Sequence, residues 1–221
     1  MKNTKTNFQI SKSLDKHYYP IFLDLKNRLC LVIGGGQVAE RKVNILIKCG
    51  ARVRVIAPSM TKRLLNLGEK GKIEILKRDY KKGDIKGAFI VFAATDNKNI
   101  NQEIKKDAQA LGVITNVVDD PEYCDFIVPS IVKKGPVIIA ISTSGTLPMF
   151  ARVFKEKVEQ ILTDEHIRYV KKIGRLRKII QNEVADPKKR NMIMDEIKNS
   201  DMNEIMGMSI KELKKVFLNK T

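Results

Sequence analysis

The chain has 221 residues, with 42 Lys or Arg against 25 Asp or Glu, a formal net charge of +17, and 43% hydrophobic and 30% charged side chains. That length buries a real core in one large or two modest domains, and no apolar run approaches the roughly 20 residues of a membrane span. The polar stretch from Met1 to Lys16 lacks the apolar core of a secretory signal, and three scattered cysteines with only two histidines, His17 and His166, argue against a disulfide framework and a protein-built zinc site.

A cytoplasmic, non-membrane protein is therefore expected. The positive excess is spread along the chain, a field that attracts polyanions: nucleic acid, anionic lipid or a small polycarboxylate. Charge alone does not choose among them.

In chain order, Arg28 to Ile33 reads as a short apolar strand ending in glycines. Val38 to Lys48 has helical spacing, with Gly50 ending the helix. Arg52 to Ala57 reads as a second strand, Met60 to Leu67 as a helix, and Lys72 to Leu76 and Ala88 to Ala93 as further strands. A helix from about Asn99 to Leu111 leads into a fifth strand, Val113 to Val118. This alternation predicts an α/β, Rossmann-like, doubly wound parallel sheet covered on both faces.

After Asp119 the pattern changes. Phe126 to Val132 and Pro136 to Ser142 read as a β-hairpin turning at Lys133-Lys134-Gly135, extending the sheet or pairing with a partner subunit. Beyond Pro148 the reading is helical: an apolar stripe Ile167, Val170, Ile173, Leu176, Ile180 and Val184, a proline-led start at Asp186-Pro187, and a capping box at Ser209 to Glu212. The expected organisation is a dinucleotide-binding domain over 1–118, a dimerisation and substrate segment over 119–150, and a helical subdomain over 151–221.

Gly34-Gly35-Gly36-Gln37-Val38-Ala39 fits G-x-G-x-x-G/A in the context that makes it informative, directly after a strand and opening a helix. Gly34 permits the tight turn, Gly36 lets a pyrophosphate approach the backbone, and Ala39 lets helix and strand pack closely. The second strand ends Ala57-Pro58-Ser59 without the acid that commonly holds the ribose, so NAD over NADP is not settled there. Arg52 and Arg54 read either as a clamp for a 2′-phosphate or as solvated strand residues. Ala93-Ala94-Thr95-Asp96 lies at the ligand-binding edge of the sheet, with room for a nicotinamide ribose, and equally suits a helix entry.

Asp119 lies at the same edge and reads either as a proton acceptor during hydride transfer or, with Asp120, as a cap of the turn before Pro121. Ser142-Thr143-Ser144-Gly145-Thr146, ahead of a helix with Arg152, is a hydroxyl-rich entry suited to anions or to simple capping.

These segments, with Pro20 to Leu25, Phe126 to Ile131 and Ser144 to Pro148, together resemble the precorrin-2 dehydrogenase family, found also as the N-terminal part of siroheme synthases. The resemblance is dense from about Tyr19 to Gln160 and looser beyond. It implies NAD-dependent oxidation of precorrin-2, a polycarboxylate tetrapyrrole, to sirohydrochlorin in siroheme biosynthesis by a homodimer. In some members it also implies ferrochelatase activity with ferrous iron as substrate. It further implies Asp119 as general base. Gly34, Gly36, Gln37, Val38, Pro58, Ser59, Thr95 and Asp96 would meet the cofactor, and Asn116, Ser142, Thr143, Ser144 and Thr146 the substrate. Thr143 stands where some members carry serine.

One rival is a dinucleotide-sensing regulatory module whose basic tail (Arg168, Lys171, Lys172, Arg175, Arg177, Lys178) contacts nucleic acid. Those charges lie opposite the apolar stripe, as on any solvated helix face, and no recognised DNA-reading motif occurs, so no nucleic-acid partner is expected. A second rival is an oxidoreductase for another anionic substrate.

Overall fold

The computed structural model describes residues 16–218. They fall into two compact units, one of residues 16–128 with 144–146, the other of 129–143 with 147–218.

The first unit is built on five parallel strands: β1 (Leu29–Ile33), β2 (Arg52–Ile56), β3 (Glu74–Leu76), β4 (Ile90–Ala93) and β5 (Ile114–Val117), in the order β3-β2-β1-β4-β5. Three helices connect them, α1 (Gln37–Lys48), α2 (Lys62–Glu69) and α3 (Lys98–Ala110). The apolar runs are continuous because both faces of the sheet are covered. On one face Cys30, Val32, Val53, Val55 and Phe92 pack with Ala39, Val43 and Leu46 of α1. On the other, Leu31, Ile33, Ile56 and Val91 pack with Ile104 and Ala108 of α3. Cys30 is fully buried, and burial pushes its thiol up to about 11, the behaviour of an inert core residue. The strand order reverses between β1 and β4, the switch point where ligands bind in open α/β sheets.

The second unit holds the antiparallel pair β6 (Ser130–Lys134) and β7 (Val137–Ile141), a separate two-stranded sheet. It continues with α4 (Pro148–Ile161), α5 (Asp164–Glu183), α6 (Pro187–Asn199), α7 (Met202–Gly207) and α8 (Ile210–Leu218). Leu176, Ile180, Ile193, Ile197, Ile205, Leu213 and Phe217 form its helical core. The expected starts are present: Asp186 caps α6 through Lys188 N–H with Pro187 in the first turn, and Ser209 and Glu212 exchange capping-box bonds ahead of α8. Lys134 ties β6 to the start of α5, its ammonium 2.9 Å from both the Leu162 carbonyl and Asp164.

Two local expectations are corrected. Phe126 to Pro129 is not a strand: Phe126 instead packs edge-on against Phe92 at 5.4 Å, and Pro129 has no N–H to give a ladder. The hairpin turns at Gly135-Pro136, not at Lys133-Lys134-Gly135, because both lysines are paired in β6 and Gly135 takes the left-handed conformation, φ +55°.

Candidate active site

The β1–α1 turn is shaped by its glycines for different reasons. Gly34 sits at φ +123°, and a Cβ there would stand 2.1 Å from the Ala94 carbonyl oxygen. A Cβ on Gly35 would stand 1.9 Å from the Ser59 carbonyl oxygen. These two residues are thus required by the ends of β4 and β2 crossing the turn. A Cβ on Gly36 would meet nothing within 4 Å. Its backbone faces open space at the start of α1, where it is the cap residue and, among the described residues, no side-chain cap bond is made to the helix N–H groups. Exposed backbone donors at a helix N-terminus favour an anion.

That turn forms one wall of a groove of about 520 Å³, lined also by Pro58, Ser59 and Met60 after β2, Asp79 and Tyr80 after β3, and Thr95 and Asp96 after β4. Of the expected cofactor residues, Gly34, Gly36, Pro58, Ser59, Thr95 and Asp96 come together there. Gln37 and Val38 lie in the first turn of α1, beside the groove lining. Arg52 is exposed and Arg54 pairs with Glu74 at 2.8 Å, and neither lines the groove. The clamp reading of these arginines therefore fails: both stand on β2 before its carboxyl end, where strand alternation sends them outward.

Asn101 was not singled out from the sequence, where an asparagine on a helix reads as a surface residue. It is 6% exposed and holds the β4–α3 turn. Its Oδ1 lies 2.7 Å from Thr95 Oγ1 and 3.3 Å from Thr95 N, and its amide donates to the Thr95 carbonyl at 3.0 Å. Asn97, not Asp96, caps α3, accepting from the N–H groups of Asn99 and Ile100. Asp96 stays exposed at the groove. Tyr80, on the opposite wall, donates its hydroxyl to Asp107 at 2.6 Å; burial, then that bond, raises its pKa.

Asp119 follows β5 at the carboxyl edge of the sheet in the left-handed conformation, φ +60°, which aspartate tolerates better than most residues. It is exposed, and among the described residues its carboxylate accepts no hydrogen bond and forms no ion pair. Asp120, not Asp119, is the cap residue of the turn Pro121–Tyr123, and it caps through its backbone carbonyl, which accepts from Tyr123 N–H at 3.2 Å, with no side-chain bond. The turn is held by other groups: Cys124 Sγ lies 3.1 Å from the Val117 carbonyl and accepts from Val117 N–H at 3.2 Å, and Asp125 accepts from Thr115 N–H at 2.8 Å. Asp125 also pairs at 2.5 Å with Lys105, whose side chain is 5% exposed. A buried lysine needs such a partner. Asn116 is 8% exposed and donates to the Phe126 carbonyl at 2.9 Å, so it fixes the segment that leaves Asp119.

In the hydroxyl-rich loop, Ser142, Ser144 and Thr146 are exposed, and Thr143 Oγ1 accepts from Leu147 N–H at 3.0 Å at the entry to α4. Ser144 and Gly145 take left-handed conformations, φ +53° and +88°.

Residues 21–130 match a family model described as "Putative NAD(P)-binding". The chain is 37% identical over 187 residues to a siroheme synthase of Nitrosococcus oceani, and 36% identical over 190 residues to one of Photobacterium profundum. The alignments take in 85% and 86% of this chain, which spans about 40% of the length of these curated relatives. Its fold is that of a solved structure named "SirC, precorrin-2 dehydrogenase", with a TM-score of 0.72, 21% identity, and 90% of this chain and 100% of the other covered. The glycine turn, the groove behind it and these alignments agree: residues 21–130 carry an NAD(P)-binding domain, and the chain is similar over most of its own length to siroheme synthases.

Proposed function

We propose that the protein is an NAD-dependent dehydrogenase that oxidises precorrin-2 to sirohydrochlorin, with Asp119 as general base. The observation that carries this reading is a free carboxylate, Asp119, at the same sheet edge as a groove walled by a glycine turn. The open space at Gly36 and the uncapped start of α1 fit a dinucleotide diphosphate. Gly34, Gly36, Gln37 and Val38 would hold that diphosphate, Pro58 and Ser59 the adenosine side, and Thr95 and Asp96 the nicotinamide ribose.

When bound, NAD supplies the hydride acceptor. Oxidation of the macrocycle also releases a proton, and Asp119 takes it: a carboxylate free of internal partners is available as a base. Asn101 keeps the Thr95 turn in shape, and Asn116 keeps the segment after Asp119 in place. The hydroxyls of Ser142, Thr143, Ser144 and Thr146 bind the tetrapyrrole from the segment 119–150. The +17 charge favours a polycarboxylate.

The protein acts as a cytoplasmic homodimer. Support for the dimer is the exposed apolar face of α4, where Met149, Phe150, Val153 and Phe154 lie open and the rings of Phe150 and Phe154 stack at 5.8 Å. Support for the compartment is that Cys30, Cys49 and Cys124 are free thiols. Among the described residues no helix is long and apolar enough to cross a membrane. The regulatory reading has less support: Arg168, Lys171, Arg175, Arg177 and Lys178 lie on the solvated face of α5, and Lys172 is engaged with the carbonyls of Met206 and Met208.

The test is an anaerobic assay with precorrin-2 and NAD, following sirohydrochlorin and NADH absorbance. Wild type forms both in equal amounts. Asp119→Ala lowers turnover by about 10²- to 10⁴-fold and leaves NAD affinity intact. Turnover at the wild-type rate from that variant would remove Asp119 from the mechanism.

A further inference from the structure

Lys42 lies in the second turn of α1, half-buried, with its ammonium 5.6 Å from the centroid of the Phe92 ring. Among the described residues it donates no hydrogen bond and enters no ion pair. The charged or titratable groups acting on it are Arg41, Cys124 and Asp119; burial, then Arg41, lowers its pKa, and the other two oppose that shift. A partly desolvated ammonium without a bonded partner is stabilised strongly by an anion that reaches it.

Its surroundings are fixed. Phe92 is pinned edge-on by Phe126 at 5.4 Å, and the Phe126 carbonyl is held by Asn116 at 2.9 Å. Lys42 does not line the dinucleotide groove, whose walls come from the turns after β1, β2, β3 and β4. It stands instead within electrostatic reach of Asp119, where the proposed chemistry places the substrate.

We propose that Lys42 is a substrate-binding residue, its ammonium receiving one carboxylate of the tetrapyrrole and so orienting the macrocycle beside Asp119. This rests on the dehydrogenase reading above. A salt link to a fixed cation orients as well as binds, because the ammonium sits on a rigid aromatic platform and not at the end of a solvated side chain.

The experiment compares wild type with Lys42→Met, which keeps the stem and loses the charge, and with Lys42→Arg. Three quantities are read: equilibrium affinity for sirohydrochlorin by absorbance titration without NAD, KM and kcat for precorrin-2, and affinity for NAD. Lys42→Met weakens sirohydrochlorin binding and raises the precorrin-2 KM about ten-fold, with kcat within about two-fold and NAD affinity unchanged. Lys42→Arg recovers most of the loss. Unchanged NAD affinity also reports that the first unit is folded; should Lys42→Met fail to fold, Lys42→Gln is read in the same way.

Wild-type tetrapyrrole affinity in the neutral variants overturns the proposal. So does a parallel loss of NAD affinity, which would assign the lysine to the cofactor, or a loss in Lys42→Arg equal to that in Lys42→Met. The two readings fail separately. A wild-type chain that does not oxidise precorrin-2 yet binds sirohydrochlorin in a Lys42-dependent way ends the dehydrogenase reading and keeps the lysine. Oxidation with an unaltered KM in Lys42→Met does the reverse.

Discussion

The two units differ in how tightly backbone and side chain constrain each other. In the first, the functional turns are fixed by backbone meeting backbone: Gly34 against Ala94, Gly35 against Ser59. In the second, the helices are held by side-chain packing around Leu176, Ile180 and Leu213 and by caps at their starts. A site that positions a ligand by main-chain N–H groups needs the first kind of construction, since main-chain positions move little when side chains change. A packed helical core tolerates substitution as long as volume is kept.

The largest expected effects separate the two. Gly34→Ala introduces both a backbone clash and an unfavourable φ, and should cost about 3 kcal/mol or more while abolishing NAD binding. Leu213→Ala, at a fully buried position, should cost about 2–5 kcal/mol, yet leave NAD affinity unchanged under conditions where the variant is folded. Urea denaturation combined with NAD titration reads both. Loss of NAD binding in Leu213→Ala would break the contrast.

Asn101→Ala is intermediate. Removing the buried amide frees the Thr95 turn and leaves polar groups unsatisfied, at a cost of about 1–3 kcal/mol. The expected signature is a raised KM for NAD with the tetrapyrrole KM unaltered. An unchanged cofactor KM would confine Asn101 to stability.

The smallest effect is at Asp84, whose carboxylate takes two bonds of 2.8 Å from Arg78 and one from Lys81 N–H. Chiefly through the Arg78 bonds, its pKa is held below the ordinary 3.8. Because the folded-state value is depressed, the stabilisation is present above pH 3.8 and is lost as pH falls further. Asp84→Asn should lower the thermal midpoint slightly at neutral pH, and the difference from wild type should close in acid. A gap that widens in acid would contradict the assignment.

Much of the first unit was legible because its constraints are local. The strand, three glycines and amphipathic helix of β1–α1 occupy one continuous stretch, and the parallel sheet follows from the alternation of apolar runs with helical spacing. The caps at Asp186 and Ser209 were legible for the same reason. Long-range pairing was not. Asn101 acts on a residue six positions earlier across a turn, Asp125 reaches back to Thr115 and across to Lys105, and Lys42 acquires its neighbours only when β4 and β5 lie beside α1. The apolar run at Phe126 resembled a strand because core packing and strand formation select the same residue types.

Whether the open face of the Gly36 turn receives a dinucleotide is decided by calorimetric titration of NAD into wild type and Gly36→Val. Gly36 sits at φ −80°, where valine is allowed, and its Cβ would meet no protein atom within 4 Å, so the variant should fold, at a cost of about 1 kcal/mol for replacing glycine at a helix cap. Wild type should bind NAD saturably, and folded Gly36→Val should not bind it. Equal binding by the two proteins would contradict it.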